Sequence, residues 1–444
     1  MKRLGLLAVL LIAFTANAQK RYGPAELHIN SKDGVYAIGD TLRVWADIQQ
    51  GAADTLEFII QENMSKYTTR RKIAVQQGRQ MIHEEVCDRP VNLVFGVGVP
   101  GKISDRPDME DKSLIGVIVA PESFSPGYAC PKDLKQFWKK QIRQMRSHKA
   151  VVTGKKAPMG KEDQSGLVCQ DVEISMHEGK PARGYVAYPA DAEKGSLPII
   201  IMAHGAGVKG SWCQSSIDEA VRNARIGKGA ISMDINAHGM LNGQPQEYYD
   251  ALDAGELRNY SKWEVKDHET FYFRLMYLRL VRALDYLTSL PQWDGKRVLI
   301  YGESQGGAQA SALAGMDPRV TAAVLRVPAF VDNGGMLDGG RRGSWPTTYA
   351  AEPEKHKEIL PYYDGALLLG LTKAKLFVEA GLIDYTCPPA CVAAGFNNAA
   401  SKDKTILFFP YRPHNTGPMS REQQKIWTKE ILSKREKFIE EHLK

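Results

Sequence analysis

The chain has 444 residues, of which 43% are hydrophobic and 25% are charged, a composition typical of a globular protein with two or three domains. Its formal net charge is +7, but basic and acidic residues are mixed along the chain instead of forming one basic stretch. This distribution argues against a nucleic-acid-binding groove, for which positive charge should gather on one face.

The first 18 residues have the pattern of a cleaved export signal. Two basic residues near the start precede an apolar run over residues 4–14, which is too short to span a bilayer, and residues 16–18 form an Ala-Asn-Ala cleavage site. We therefore expect the mature protein to begin at Gln19 and to be periplasmic or extracellular. No later segment is apolar enough to predict a membrane-spanning helix.

Six cysteines in a chain expected to be exported permit disulfide bonds, but their wide spacing does not match a zinc site. The two that lie closest in sequence, Cys387 and Cys391, are compatible with a bridge and equally with two buried thiols. The sequence therefore predicts neither a particular disulfide pairing nor a metal site.

Residues 25–120 alternate apolar and polar side chains with a period of two, the pattern of half-buried strands. The alternation is clearest in four segments, residues 42–48, 56–60, 91–95 and 115–119. Short strands separated by turns predict an antiparallel, immunoglobulin-like β-sandwich over residues 19–122. No cluster of titratable residues stands out there, so we expect this domain to be structural or to orient substrate.

A helix is predicted to begin at Pro131, because proline suits the first helical position and the apolar residues that follow share one face. Residues 149–164 are polar and basic and are predicted to form a loop. A longer helix is predicted over residues 269–290 and a last one after Ser420, whose spacing to Gln423 matches a capping box.

From residue 167 onward, short apolar segments alternate with these helices. Besides the segment before Ser304, strands are predicted over residues 172–176, 184–188, 197–203, 229–234, 321–327, 374–380 and 405–409. This alternation predicts an α/β domain over residues 123–444, with a mostly parallel sheet covered by helices on both faces.

Residues 298–307 combine a buried strand, a tight turn and the start of a helix. Glycines lie two positions before and two positions after Ser304, as in the G-x-S-x-G nucleophile elbow of α/β-hydrolases. In that elbow a strained turn exposes the serine hydroxyl at the N-terminus of a helix. A small serine in an ordinary tight turn is the alternative, and the flanking strand and helix favour the nucleophile.

A serine nucleophile needs a histidine to take its proton and an acid to orient that histidine. In α/β-hydrolases both follow the serine, acid first, in loops after strands. Asp384 and His414 have this placement, after the segments 374–380 and 405–409. The other candidates lack it, namely His268, His356 and His442 for the base and Asp332, Asp338 and Asp364 for the acid. The predicted triad is therefore Ser304, Asp384 and His414.

The tetrahedral intermediate of such a reaction carries an oxyanion, which needs two fixed hydrogen-bond donors. The backbone N–H of Gln305, directly after the nucleophile, is the first predicted donor. The second is the backbone N–H of Ala206, in the loop after the strand ending at residue 203. His204, in the same loop, is expected to brace it instead of exchanging protons.

Several stretches resemble the acetyl xylan esterase and cephalosporin-C deacetylase family of serine carbohydrate esterases. They cover about residues 130–430 and are Pro131-Lys-Asp-Leu-Lys-Gln-Phe-Trp138, Phe271-Tyr-Phe-Arg-Leu-Met-Tyr277, Arg282-Ala-Leu284, Gly302-Glu-Ser-Gln-Gly-Gly307, Val327-Pro328, Gly381-Leu-Ile-Asp-Tyr-Thr-Cys-Pro-Pro389 and Pro410-Tyr-Arg-Pro-His414. The resemblance implies that Ser304, Asp384 and His414 are catalytic. It also implies removal of small acyl groups, typically acetate, from sugar hydroxyls, for which we expect no metal or organic cofactor.

Two loops depart from the pattern of that family. Ala206 stands where the family usually has a tyrosine, and residues 234–239, Asp-Ile-Asn-Ala-His-Gly, replace the usual Asp-x-Arg-Gly-Gln-Gly. The expected partner is an acetylated oligo- or polysaccharide, with no nucleic acid and no integral membrane segment. A homo-oligomer is compatible with the sequence, which predicts no particular assembly.

Two other functions are weighed against the esterase. A serine peptidase of the prolyl-oligopeptidase type also joins a β-domain to this hydrolase fold, but its propeller needs several hundred residues and the predicted sandwich has about 100. A non-catalytic carbohydrate-binding protein on the same fold is the second alternative, and the complete triad argues against it.

Overall fold

A computed structural model describes residues 23–48, 54–76, 78–103, 112–160, 166–337, 340–415 and 419–444. The export signal predicted over residues 1–18 lies outside these ranges, as does Asp338. Within the described ranges, no helix has both the length and the apolar character needed to cross a membrane.

The N-terminal part consists of two β-sheets packed face to face. Its strands are β1 (Ala25–Ile29), β2 (Val35–Tyr36), β3 (Thr41–Ile48), β4 (Thr55–Glu62), β5 (Lys66–Ala74), β6 (Gly78–Val86), β7 (Val91–Gly98) and β8 (Lys112–Val119). One sheet has the order β1-β3-β6 and the other the order β2-β8-β7-β4-β5. Inward-facing residues of both sheets, such as Val44 and Phe95, share one apolar core. This arrangement confirms the predicted sandwich, although β2 pairs with β8 in parallel.

The C-terminal part is built on one nine-stranded sheet with the order β17-β16-β15-β14-β12-β13-β11-β10-β9. Its strands are β9 (Val152–Lys156), β10 (Leu167–Ile174), β11 (Ala182–Pro189), β12 (Leu197–Ala203), β13 (Ile231–Ile235), β14 (Trp293–Glu303), β15 (Ala322–Arg326), β16 (Lys375–Gly381) and β17 (Lys404–Phe409). Strands β12 to β17 pair in parallel, and β9, β10 and β11 add an antiparallel edge. Residues 152–156 thus form an edge strand, and the prediction of a loop there is wrong.

Helices cover this sheet on both sides. They are α1 (Leu134–Ser147), α2 (Ile217–Ala224), α3 (Gln246–Ala254), α4 (Tyr272–Leu287), α5 (Gln305–Met316), α6 (Thr347–Ala350), α7 (Pro353–His356), α8 (Gly365–Leu369), α9 (Pro389–Asn398), α10 (Arg421–Trp427) and α11 (Ser433–Leu443). Helix α1 begins at Leu134, because residues 131–133 form a turn, so the predicted start at Pro131 is three residues early. The capping box predicted at Ser420 is present at the start of α10.

The N-terminal sandwich lies against two loops at the carboxyl edge of the large sheet. The backbone N–H of Gly116 in β8 donates to the carbonyl of Pro410 at 2.9 Å, and the Asn92 side chain in β7 donates to the carbonyl of Leu382 at 3.4 Å. A β-carbon on Gly116 would lie 2.1 Å from that same Leu382 oxygen, so the two backbones are in direct contact. The sandwich therefore supports the loops that follow β16 and β17. Its predicted boundary at residue 122 stays a prediction; β8 ends at Val119.

Candidate active site

Ser304 lies in a tight turn between β14 and α5. Its φ of 56° and ψ of −119° are a strained conformation for a residue with a side chain. A β-carbon on Gly302 would lie 2.0 Å from the carbonyl oxygen of Gly306, and one on Gly306 would lie 2.2 Å from that of Ala203. Only glycine fits at these two positions, so the turn has the geometry of a nucleophile elbow.

The three residues predicted as a triad are joined by hydrogen bonds. Ser304 Oγ lies 2.8 Å from His414 Nε2, and His414 Nδ1 lies 2.9 Å from Asp384 Oδ2. The other Asp384 oxygen, Oδ1, accepts the backbone N–H groups of Thr386 and Cys387, each at 2.8 Å. Asp384 is fully buried, whereas 18% of the His414 side chain is exposed. This arrangement can move a proton from the serine to the histidine and stabilise the imidazolium that forms.

The charge of Asp384 sets the protonation of His414. Burial of the imidazole disfavours its charged form, but the carboxylate and its hydrogen bond outweigh this effect and raise the pKa of His414 above its ordinary value. The histidine is therefore a stronger base than a free imidazole, as proton abstraction from a serine requires.

Ion pairs connect the serine turn to the histidine loop; Arg412 and Glu379 are buried, whereas Glu303 is partly exposed. Arg412 donates to Glu303 at 2.9 Å and to Glu379 at 2.8 Å, and Glu379 also accepts from Arg435 at 2.7 Å. Glu303 directly precedes Ser304, and Arg412 lies two residues before His414. These contacts hold the two loops at a fixed separation. Nothing in the sequence indicates these contacts, because charged residues ordinarily indicate solvent exposure wherever they lie in the chain.

The loop after β12, residues 204–207, lies beside Ser304. A β-carbon on Gly205 would lie 3.9 Å from the Cβ atom of Ser304, and Ala206 follows directly. Gln305 is the first residue of α5, where backbone N–H groups have no partner within the helix. Both residues predicted to supply oxyanion donors are thus close to Ser304, and their role as donors stays a prediction.

His204 is hydrogen-bonded to a buried carboxylate, since its Nε2 atom lies 2.5 Å from Asp234 Oδ1. Burial disfavours the imidazolium of His204, but Asp234 outweighs this effect and raises the pKa of the histidine. The same Asp234 oxygen accepts the backbone N–H of Ser216 at 3.2 Å, which ties the loop to the start of α2. These contacts fit the expected bracing role of His204.

A second set of buried polar groups fixes Gly207. The Tyr260 hydroxyl accepts the Gly207 N–H at 3.1 Å and donates to the side-chain oxygen of Gln305 at 2.6 Å. His238 Nε2 donates to the Gly207 carbonyl at 2.9 Å, so its Nδ1 accepts the Tyr272 hydroxyl at 2.5 Å. Burial lowers the pKa of His238 to about 3, which keeps the ring neutral. The difference between residues 234–239 and the usual family sequence was the one sign in the sequence of the contact between His238 and Gly207.

Asp384, Cys387 and His414 form a group of described residues whose ligand atoms lie within 4.8 Å of one another, close enough to consider for a metal ion. A metal would have to displace the bond between His414 and Asp384. Burial also raises the pKa of the Cys387 thiol well above its ordinary value, so this sulfur is protonated. The donor set therefore suits a proton relay better than a metal. All six cysteines lie within the described ranges and are free thiols.

Comparisons with known proteins agree on one family. The family described as "Acetyl xylan esterase (AXE1)" matches residues 122–431. The acetyl esterase Axe7A of Xylanibacter ruminicola is 30% identical in an alignment 414 residues long, which covers 90% of this chain and 89% of the relative. That match leaves about a tenth of the chain uncovered, which is fewer residues than the N-terminal sandwich contains. The match therefore extends into the sandwich.

Two solved structures of acetyl xylan esterases share the fold. The enzyme from Paenibacillus sp. R4 has a TM-score of 0.55 at 21% identity, over 73% of this chain and 98% of its own. The enzyme from Thermoanaerobacterium sp. JW/SL YS485 has a TM-score of 0.53 at 22% identity, over 72% and 97%. The predicted α/β-hydrolase fold is confirmed. The family match spans well over half of the chain and includes the hydrogen-bonded residues Ser304, Asp384 and His414. The chain therefore belongs to the acetyl xylan esterase family and is a carboxylic ester hydrolase.

Proposed function

We propose that the chain is an exported serine esterase that removes acetyl groups from acetylated carbohydrates such as xylan. The observation that carries this proposal is the hydrogen-bonded chain from Ser304 through His414 to Asp384 at a nucleophile elbow. The names of the relatives, which are acetyl and acetyl xylan esterases, support the substrate class. The proposal of export rests on the pattern of residues 1–18. Mass spectrometry of the exported protein tests it, and the measured mass should be that of a chain beginning at Gln19.

In the proposed mechanism the Oγ atom of Ser304 attacks the acetyl carbonyl while His414 Nε2 takes the serine proton. Asp384 stabilises the imidazolium, and the N–H groups of Ala206 and Gln305 bind the oxyanion. The tetrahedral intermediate collapses, the sugar oxygen leaves with the proton from His414, and an acetyl-enzyme remains. A water molecule, deprotonated by His414, then attacks this ester and releases acetate and the serine.

The test of this function is acetate release from acetylated xylan and acetylated xylo-oligosaccharides, alongside labelling of the protein by a fluorophosphonate. We expect both acetate release and labelling at Ser304. Cleavage of a proline dipeptide anilide without acetate release would favour the peptidase instead. A wild-type protein that is neither labelled nor active would favour a non-catalytic binder.

The pH dependence of the reaction should reflect the raised pKa of His414. The imidazole accepts the serine proton only when it is neutral, so kcat/KM should rise with pH through the histidine pKa of the free enzyme. Because that pKa lies above the ordinary 6.5, we expect the acidic limb of the profile above pH 6.5. A profile of kcat/KM from pH 4 to 9 with 4-nitrophenyl acetate measures it. A limb below pH 6 would contradict the proposed base.

The contact between the sandwich and the catalytic loops predicts that Gly116→Ala impairs catalysis. The new β-carbon would lie 2.1 Å from the Leu382 carbonyl oxygen, so the loop carrying Asp384 has to move. A displacement of about 1 Å can cost about a hundredfold in rate, and we expect a loss of that order in kcat/KM. Gly154→Ala is the matched control, since its nearest neighbours would lie 3.6 Å away in the edge strand β9. Full activity of Gly116→Ala would show that the sandwich does not support the loop.

A further inference from the structure

Trp212 is the most exposed large hydrophobic side chain of the described residues, with 67% of its surface accessible. It lies in a short 3-10 helix, Ser211–Cys213, which follows the loop beside the nucleophile. An indole is ordinarily buried to a large extent, so an indole exposed to this degree needs an explanation.

One side of the Trp212 ring lies against the backbone of three glycines. β-carbons added to Gly210, Gly207 and Gly205 would lie 2.5, 3.3 and 3.7 Å from the nearest indole atoms. The indole N–H also donates to the carbonyl of Ala206 at 3.0 Å, which fixes the ring in its plane. The glycines and the hydrogen bond to Ala206 hold one side of the ring against the loop. The exposed surface of the indole belongs to the part of the ring that does not contact the loop. Trp212 is therefore a preorganised aromatic platform.

This platform is next to the nucleophile. The position of a β-carbon on Gly205 lies 3.7 Å from Trp212 Cδ1 and 3.9 Å from the Cβ atom of Ser304, so the indole and the serine flank the same glycine. In an acetylated carbohydrate the sugar is joined to the acetyl group through the ester oxygen. When the ester carbonyl is at Ser304, the sugar is therefore held close to the serine, where the exposed indole can contact it.

We propose that Trp212 is a substrate-binding residue that stacks against a pyranose ring of the acetylated carbohydrate. A pyranose has hydroxyls around its edge and an apolar C–H face, which suits the flat apolar surface of an indole whose only polar atom is already bonded. Stacking would raise kcat/KM for esters of sugars relative to small esters that have no pyranose ring. The proposal rests on the proposed function, since it identifies the part of the substrate that this same active site recognises.

The experiment compares kcat/KM for acetylated xylotriose with kcat/KM for ethyl acetate, an ester with no ring to stack. In Trp212→Ala we expect the ratio of the two values to fall about tenfold, mainly through KM for the oligosaccharide. Trp212→Phe keeps an aromatic face but loses the N–H, and should retain most of the ratio. Gly210→Ala, which displaces the ring without removing it, should lower the ratio as Trp212→Ala does, and it covers the case in which Trp212→Ala fails to fold. Met81→Ala, 55% exposed in β6, is the control and should change neither value.

An equal loss on both esters would overturn the proposal, because it would mean that Trp212 acts only by holding Ala206. An unchanged ratio in Trp212→Ala and Gly210→Ala would overturn it as well. Failure of the proposed function gives a different result, since the wild-type protein itself would then release no acetate from xylotriose esters, whether or not it hydrolyses ethyl acetate.

Discussion

Ser304→Ala is expected to lower kcat for acetate release at least a thousandfold. The substitution removes the Oγ atom that lies 2.8 Å from His414 and that forms the acetyl-enzyme in the proposed mechanism. In serine hydrolases, loss of one member of the triad leaves only the rate enhancement that comes from substrate binding and the oxyanion donors. The protein should stay folded, because alanine keeps the β-carbon and thus the same strain at φ 56°.

Acetate release from acetylated xylo-oligosaccharides and labelling by a fluorophosphonate measure this effect, and both should be lost. Ser311→Ala is a matched control on the same helix. Its buried hydroxyl donates to the Gly307 carbonyl at 2.8 Å and faces no reacting atom, so activity and labelling should persist. Activity of Ser304→Ala within tenfold of the wild-type value would exclude Ser304 as the nucleophile.

The placement of the three residues at the elbow could be predicted from sequence because it depends on topology alone. In a parallel sheet the carboxyl ends of neighbouring strands lie at one edge, and Asp384 and His414 each follow such a strand. The apolar run that forms β16 is almost entirely buried, and β17, at the edge of the sheet, is only partly buried but still contains the apolar run 406–409, so both strands are easy to recognise. No knowledge of side-chain contacts was needed for that step.

The edge of the sheet was harder to predict, for a physical reason. All five residues of β9 are exposed, and the strand has neither an apolar run nor a clear alternation. It forms because its backbone groups pair with β10, a contact that depends on a distant segment and not on its own side chains.

The same limit applies to the contacts around the active site. Asn92 and Leu382 are 290 residues apart in the chain, and nothing local to either residue indicates that they meet. The Arg412 and Glu379 pair has charges that a single sequence assigns to the surface, although both side chains are buried. Trp212 is the reverse case, since aromatic residues are ordinarily buried and this one is exposed at the surface.

Asp384→Asn is expected to lower kcat about ten-thousandfold, the loss seen when the triad aspartate of a serine protease is replaced in the same way. Asp384 Oδ1 accepts two backbone N–H groups, from Thr386 and Cys387, and only the amide oxygen of an asparagine can take that place. The amide NH2 group must then face His414 Nδ1, which becomes a hydrogen-bond acceptor. The ring proton moves to Nε2, so the histidine donates to Ser304 and can no longer take its proton.

Kinetics with 4-nitrophenyl acetate and acetylated xylo-oligosaccharides measure this effect on the two kinds of ester. Asp403→Asn, at an exposed carboxylate paired with Lys375, is the control and should be fully active. The acidic limb of the residual kcat/KM profile should also move to lower pH, since the carboxylate that raises the pKa of His414 is gone. A loss smaller than tenfold would mean that another acid orients the histidine.

The double variant Ser304→Ala/Asp384→Asn separates a role in catalysis from a role in folding. If the aspartate acts only through His414 on the serine hydroxyl, it has nothing to act on once that hydroxyl is removed. We therefore expect the double variant to be no slower than Ser304→Ala alone, the non-additivity of residues that work as one unit. If Asp384 instead supports the loop that the N-terminal sandwich contacts, its replacement should slow the Ser304→Ala protein further and lower its Tm. The proposed mechanism requires the first outcome.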